Sequence, residues 1–373
     1  MAEAHPAMKD RHKRIVIGVE IEAYSIDTAD HSIGRRLARP RSGVSESGER
    51  FARDSSIGTE YNSRPYQTVR EALFLLQGGL RKYLRSLYRS RRPQDELRPL
   101  LVGGWTNRFA GTHLHLSTAE RRLSRQEAAS LAFHLHDYLP MIIALGANSP
   151  VWGRTLSPWA SNRLLRGTEA YFRPISRRAL TSHDRNEMVF NPRRKTKPAT
   201  LEVRVLDSNL PHYVVACLAL LKAAALRWLK RRPTVARMDY ATYLEARLEA
   251  GRRGVRCRLP WNGETVSFSR YLDRFLWAHR EEIDSLDIPD EIFEVLRLAK
   301  RGWNGARILS EAVHQAHQEH PQTWQRRFAR RYSRGLELLL SGNSLVDFAR
   351  SLRVELPDTE KVWLGRRSAS LDE

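Results

Sequence analysis

The sequence predicts an α+β fold in which an antiparallel sheet carries a polar face and helices pack outside it. Three stretches alternate between apolar and polar residues, as half-buried strands do: Val19–Glu22, Gly111–Ser117 and Thr200–Leu206. Beyond Pro211 the apolar residues recur at helical spacing instead. Strands early in a chain and helices late are typical of α+β domains.

The elements follow in order. The first strand runs over 15–23, where β-branched residues dominate, and a second over 55–61. Capping boxes at Thr68–Glu71 and Ser124–Glu127 predict helix starts, the first helix reaching about Arg89 with a weak point at Gly78-Gly79. Pro140 should kink the second helix. A short strand is expected over 100–102, and the basic stretch 173–197 reads as a long loop. Helices are then predicted over 213–230, 239–250, 269–284, 290–300, 306–318, 323–340 and 345–352.

Four parts of the chain are predicted. They are a polar tail over 1–14, a sheet-bearing core over 15–210, a helical region over 211–355 that completes or flanks the core, and a polar tail over 356–373. A chain of 373 residues with 41% hydrophobic residues and nine Trp has ample material for a core.

The chain is strongly basic, with 63 Lys and Arg against 42 Asp and Glu and a net charge of +21. Such a surface attracts polyanions, among them nucleic acid, acidic proteins and nucleotide phosphates. The Arg residues are spread along the chain and do not form a basic tail, so nucleic acid is not the favoured partner.

The expected location is the cytoplasm. Two cysteines cannot build a disulfide framework, and the polar stretch Met1–Arg14 lacks the apolar segment of an export signal. The longest apolar run, Val214–Leu229, is interrupted by Lys222 and Arg227, which predicts a buried helix and no membrane span.

The polar faces of the three alternating strands carry residues suited to metals and phosphates. Alternation places Glu20 with Glu22, His113 with His115, and Glu202 with Arg204 on one face of their strands. Asp54 and Glu60 could add carboxylates from a further segment. Several carboxylates and one or two His without Cys form a hard-donor set that favours Mg²⁺ or Mn²⁺, with two or more ions for this number of acids.

Carboxylate-bound cations beside an arginine suit phosphoryl transfer from ATP. The sequence has no phosphate-binding glycine loop of the Walker or dinucleotide type. Metals and basic side chains would therefore hold the nucleotide, and the candidates are Arg204 with Lys195 and Arg177 from the basic stretch.

Four motifs together resemble the carboxylate–amine ligases, that is, the type 2 glutamate–cysteine ligase-like and amidoligase proteins of the glutamine synthetase superfamily. In the family's order they are Gly18–Glu22, Gly111–His115, Ala144–Trp152 and Leu201–Arg204. The resemblance covers about residues 15–210, with a weaker match at Lys300–Ala306. It implies a glutamine synthetase-like fold whose sheet forms a funnel around the active site.

The resemblance also implies roles. Glu20, Glu22, Asp54, Glu60, His113, His115 and Glu202 correspond to metal-site positions, Arg204 to a phosphate-binding arginine and Arg163 to an arginine near the substrate. The implied reaction is ATP-dependent formation of an amide through an acyl phosphate, from a small-molecule or peptide carboxylate and an amine. Ile21 stands where the family often has an acidic residue, and no substrate pocket can be matched.

Two other functions stay open. His-x-His on a strand beside carboxylates also suits a metal-dependent hydrolase, which would use an activated water and no ATP. A basic nucleic-acid-binding protein on a ligase scaffold is the other, and its binding would weaken steeply with salt. An acidic protein or peptide could also be drawn to the basic surface, and a homo-oligomer is compatible with the sequence.

Overall fold

The fold is a mixed sheet-and-helix structure, described here from a computed structural model. The structure describes residues 11–34, 43–44, 48–52, 57, 60–86, 97–167, 174–176, 178, 180, 187–190, 199–232 and 236–364. Asp54, Arg177 and Lys195 lie outside these residues, as does most of the stretch 173–197.

Thirteen strands are present in the described residues. They are β1 (Ile15–Glu22), β2 (Tyr24–Asp27), β3 (Gly43–Val44), β4 (Arg50–Ala52), β5 (Glu60–Asn62), β6 (Leu97–Leu100), β7 (Gly111–Thr118), β8 (Val151–Trp152), β9 (Thr155–Leu156), β10 (Met188–Phe190), β11 (Leu201–Asp207), β12 (Arg258–Trp261) and β13 (Glu264–Ser267).

The helices, again within the part of the chain that the structure describes, are mostly those expected. They are α1 (Val69–Ser86), α2 (Arg125–His136), α3 (Leu139–Gly146), α4 (Pro211–Arg231), α5 (Tyr240–Arg253), α6 (Phe268–Ala278), α7 (Arg280–Ser285), α8 (Asp290–Lys300), α9 (Gly305–Glu319), α10 (Trp324–Leu340) and α11 (Leu345–Ser351). The α+β class is confirmed.

The main sheet has seven strands in the order β10-β11-β7-β1-β5-β4-β3, and every neighbouring pair is antiparallel. The three predicted alternating strands, β1, β7 and β11, are therefore neighbours. Their apolar residues, such as Val19, Leu114 and Val203, are buried on the other face of the sheet. That face packs on α4, which also contacts α1, α2 and α8.

The helix α4 is long and apolar enough to be compared with a membrane span. It lies inside the fold, with 89% of its most apolar window buried. The bent pair α2 and α3, which meet at 66°, is likewise buried along most of its length. These helices form the core against which the sheet is packed.

Several boundaries differ from the predictions. Gly78 and Gly79 do not break α1, which is continuous through both. Gly79 is required by packing, because the hydroxyl of Tyr61 lies 1.9 Å from where a Cβ would be. The kink predicted at Pro140 lies just before it: α2 stops at His136, α3 starts at Leu139 at 66° to it, and the proline occupies the first turn of α3, where its missing N–H costs nothing. The predicted loop 173–197 contains a strand, β10.

Further differences lie in the helical half and near β6. The strand expected over 100–102 is β6, which ends at Leu100, and the helix expected over 269–284 is divided into α6 and α7 at His279. The hairpin β12–β13 lies in a stretch for which no strand was predicted.

An asparagine cluster joins the start of α9 to the end of α3. Asn304, which caps α9, donates from Nδ2 to the carbonyl of Ala144 in α3 at 2.9 Å. Gly305 leaves no room for a side chain, since a Cβ would lie 2.5 Å from Oδ1 of Asn148 and 2.7 Å from Oδ1 of Asn209. The residues of the weaker match at 300–306 thus pack against the motif that contains Asn148.

Candidate active site

The candidate site lies on the polar face of β1, β7 and β11. Antiparallel pairing places Glu20 opposite His113, and His115 opposite Glu202. Residues directly opposite each other share one face of a sheet, so these four side chains converge. The register therefore brings the polar residues of β1, β7 and β11 together, as the sequence predicts.

Short distances join the converging groups. Nδ1 of His113 lies 3.3 Å from Oε2 of Glu20 and 3.2 Å from Oε1 of Glu202. Nε2 of His115 lies 3.5 Å from Oε1 of Glu20. One ligand atom from each of Glu20, His115 and Glu202 lies within 4.8 Å of the others, a spacing that a single metal ion can bridge.

Glu22 and Glu60 extend the acidic face along the strands. Glu22 lies opposite Glu60 in the β1–β5 pair, so both carboxylates share the site face. Oε2 of Glu22 accepts from the backbone N–H of Gly111 at 2.6 Å, and its Oε1 is 4.0 Å from Nε2 of His113. Glu60 accepts from Asn62 at 2.8 Å.

Hydrogen bonds and opposite charges stabilise the ionised forms of Glu20, Glu202 and His113, although burial opposes ionisation. Burial raises the pKa of Glu20, but hydrogen bonds from His113 and His115 outweigh it and hold that pKa far below its usual range. Burial likewise opposes the low pKa of Glu202, which the same two histidines produce. Burial lowers the pKa of His113, and its hydrogen bond to Glu20 reverses the shift to a net rise.

Arg204 lies at the edge of the carboxylate cluster. Its Nε is 3.3 Å from Oε1 of Glu202. A β-bulge shapes its backbone, because Arg204 and Val205 together lie opposite His113 between the pairs Val203–Leu114 and Leu206–Thr112. A bulge twists a strand and changes the direction of its side chains, and this bulge lies at Arg204.

Arg163 reaches the same face from a short π-helical turn, Arg163–Gly167. Its guanidinium lies over Gly111, so that Nη2 is 2.5 Å from the position of a Cβ there, and donates to the carbonyl of Arg204 at 3.0 Å. It therefore continues the row that His113 and His115 form along β7.

Asp207 holds the loop that carries Arg163, and sequence reasoning missed it. The fully buried carboxylate accepts from the backbone of Asn148 at 2.7 Å and from the hydroxyls of Ser149 and Ser161 at 2.8 and 2.9 Å. Burial raises its pKa, and the positive charge of Arg163 opposes that rise. Its place directly after an alternating strand was the available signal.

Thr200 was also missed. Its hydroxyl lies 2.9 Å from Nδ1 of His115, so it fixes the ring and leaves Nε2 directed at Glu20. Such partners orient metal-binding histidines. The available signal was its place at the start of the alternating stretch Thr200–Leu206, on the same face as Glu202 and Arg204.

Comparison with known proteins shows a resemblance to carboxylate–amine ligases, in part of the sequence and in the fold. A model of the glutamate–cysteine ligase family 2 matches residues 103–170, which include His113, His115 and Arg163. A protein of Bradyrhizobium diazoefficiens, whose name as a glutamate–cysteine ligase 2 is itself provisional, is 25% identical over 233 residues. That alignment covers 57% of this chain and 53% of the relative, so this chain spans about half of the relative's length.

Solved structures show the same fold. The ligase PafA, in complex with the prokaryotic ubiquitin-like protein Pup, superposes with a TM-score of 0.56 at 14% identity, over 94% of this chain and 82% of that one. The glutamate–cysteine ligase of Francisella tularensis in complex with AMP gives 0.55 at 10% identity, over 91% and 92%. The bifunctional glutathione synthetase of Pasteurella multocida gives 0.51 at 14% identity, over 94% and 57%. The resemblance to carboxylate–amine ligases and the glutamine synthetase-like fold are confirmed.

Proposed function

We propose that this protein is an ATP-dependent carboxylate–amine ligase that forms a carbon–nitrogen bond. The observation that supports this most is the convergence of Glu20, His115 and Glu202 within 4.8 Å, with Arg204 at their edge. The family match and the ligase fold agree with it.

The residues fit divalent cations of the hard class. Glu20, Glu22, Glu60 and Glu202 bring four carboxylates to one face of the sheet, and like charges so placed need cations nearby. Oxygen donors with imidazole and no thiolate suit Mg²⁺ or Mn²⁺. We propose two or more ions, with the glutamates and His113 or His115 as ligands. Bound there, such ions would neutralise the triphosphate and polarise its γ-phosphoryl group.

In the proposed reaction an oxygen of the substrate carboxylate attacks the γ-phosphorus of ATP and ADP departs, which gives an acyl phosphate. The amine nitrogen then attacks the acyl carbon, inorganic phosphate leaves and the nitrogen loses a proton. Arg204 stabilises the negative charge of the phosphoryl group during transfer. Arg163, whose guanidinium donates to the carbonyl of Arg204, contacts the carboxylate substrate. Lys195 and Arg177 are proposed to contact ATP and stay predictions.

The substrate class is proposed from charge. A net charge of +21 gathers acidic molecules, so an acidic peptide or protein carboxylate is the favoured substrate, with a small amino acid as the alternative. One structural neighbour was solved in complex with a small protein, Pup, and another with AMP.

Both cysteines are buried and unpaired, which fits a reducing cytoplasm.

The test is ADP release from Mg·ATP by the purified protein, supplied with pools of amino acids, amines and acidic peptides. Glu20→Gln serves as the blank, because it keeps the shape of the side chain and removes the charge. Release that depends on one carboxylate pool and disappears in the variant would establish the ligase class. Absence of release with every pool, together with salt-sensitive binding of nucleic acid, would refute the ligase and favour a binding protein.

A further inference from the structure

A fully buried arginine in the helical region contacts both segments that carry the site arginines. Arg247 lies on α5, and its side chain has no exposed surface. Its Nε donates to Oε1 of Glu187, and its Nη1 donates to the carbonyl of Leu164 at 3.2 Å. Tyr243, one turn earlier on the same face of α5, donates its hydroxyl to the other oxygen of Glu187.

Each of these acceptors is directly joined to a site arginine. The carbonyl of Glu187 accepts from the backbone N–H of Arg204 at 2.8 Å. Leu164 follows Arg163, whose Nη2 donates to the carbonyl of Arg204 at 3.0 Å. The contacts therefore close a ring that begins and ends at Arg247 and contains both site arginines.

Both partners of the Arg204 backbone belong to the ring. Its N–H extends the β10–β11 pairing by one residue beyond Met188–Val203 to the carbonyl of Glu187, and its carbonyl accepts from Arg163. Those two partners thus set the direction of the Arg204 side chain. A guanidinium presents its donors in a fixed fork, so a single side chain at 247 fixes the distance between the two segments.

We propose that Arg247 is a positioning residue, which holds Arg163 and Arg204 together in the arrangement that the reaction uses. The proposal rests on the proposed ligase function. It makes α5, which lies far from the metal-site residues in sequence, a necessary part of the site.

The test compares Arg247→Lys with Arg331→Lys. Arg331 is a suitable control because it is 15% exposed, pairs with Glu319 at 2.5 Å, and lies on α10 away from the ring. Lysine keeps the charge in both variants but cannot reach two acceptors in fixed directions. We expect both variants to lose similar thermal stability. Only Arg247→Lys should lower kcat for ADP release, at least tenfold, with a KM for ATP raised severalfold.

Amide hydrogen exchange gives a second readout that does not need activity. Arg247→Lys should exchange at least tenfold faster in peptides over 161–167 and 201–207, while Arg331→Lys matches the wild type there. If Arg247→Lys does not fold, Tyr243→Phe replaces it, since it removes only one of the two bonds to Glu187, and a smaller change in the same direction is expected.

The outcomes separate the two proposals. Kinetic constants within twofold of the wild type, or unchanged exchange over 201–207, would overturn the positioning role. A wild-type protein without ADP release would refute the ligase, and faster exchange over both peptides would still support Arg247 as the residue that holds them.

Discussion

The guanidinium of Arg163 lies in the space that a side chain on Gly111 would fill. Nη2 of Arg163 is 2.5 Å from the Cβ position, and its Cζ is 2.9 Å away. The backbone N–H of Gly111 meanwhile donates to Glu22 at 2.6 Å, so this one residue contacts both a carboxylate and an arginine of the candidate site.

Gly111→Ala should displace Arg163 and lower ADP release about tenfold or more, because a shift of about 1 Å at a positioned group can cost up to 100-fold in rate. The stability loss should be modest, about 1–3 kcal/mol. Gly18→Ala is the matched control: it shares the site face, and its Cβ would be in ordinary contact, 3.7 Å from His115 and Ser63. An equal loss of rate in both variants would contradict the account.

Mg²⁺ or Mn²⁺ should raise the melting temperature of the wild type, and chelation should reverse the rise. A ligand present at 100 times its dissociation constant adds about 2.7 kcal/mol of stability. Glu202→Gln should lose most of this gain because it removes one charged donor. Glu281→Gln, whose side chain is 67% exposed, should retain it. The same metal-induced shift in Glu202→Gln as in the wild type would remove Glu202 from the site.

Two neighbouring glycines in α1 should respond in opposite directions. Gly79→Ala should destabilise the protein by about 1–3 kcal/mol, because its Cβ would overlap the hydroxyl of buried Tyr61. Gly78→Ala should stabilise it by about 0.5–1 kcal/mol, since no described residue lies within 4 Å and alanine favours the helix. Chemical denaturation of both variants measures the difference. Destabilisation by both would show that α1 packs differently.

Lys222 should make the protein more stable as the pH rises above 7. It is fully buried, and burial lowers its pKa to about 7, so between that value and about 10.4 the unfolded chain binds the extra proton. From pH 7 to 8.5 the gain should be about 2 kcal/mol. Lys222→Met should abolish this gain, whereas Lys230→Met, whose side chain is 35% exposed, should keep it. Urea denaturation at both pH values measures the free energy of unfolding. A gain that persists in Lys222→Met would show that another group causes the pH dependence.

The sequence predicted the parts of the sheet that have a local signal. The strands β1, β7 and β11 follow from strict alternation, and the convergence of Glu20, His113 and Glu202 follows from placing those strands side by side. The capping box at Ser124 and Glu127 is present as predicted. The capping box at Thr68 and Glu71 is half-formed. The Thr68 hydroxyl accepts from the backbone N–H of Glu71, but the Glu71 carboxylate accepts from the backbone N–H of Gln67 in place of that of Thr68.

The rest depended on contacts between residues distant in sequence. No local pattern tells that β10 pairs with β11, or that Arg247 meets Glu187 across 60 positions. Gly79 was interpreted as a helix breaker because propensity is local, whereas Tyr61, which requires that glycine, belongs to another element. Asn148 likewise acts at long range, since its side-chain amide donates to the carbonyls of Leu101 and Ser208.

The attachment through Asn304 bears on how the chain can fold during synthesis. The ribosome releases Glu20, Glu22, His113 and Glu202 well before the asparagine that closes onto the end of α3. A nascent chain that stops before Asn304 has these acidic residues and can have Arg247, but it lacks the contact to α3. Ribosome-bound chains that stop short of α9 should therefore stay protease-sensitive, and the finished site should appear only after α9 has left the ribosome.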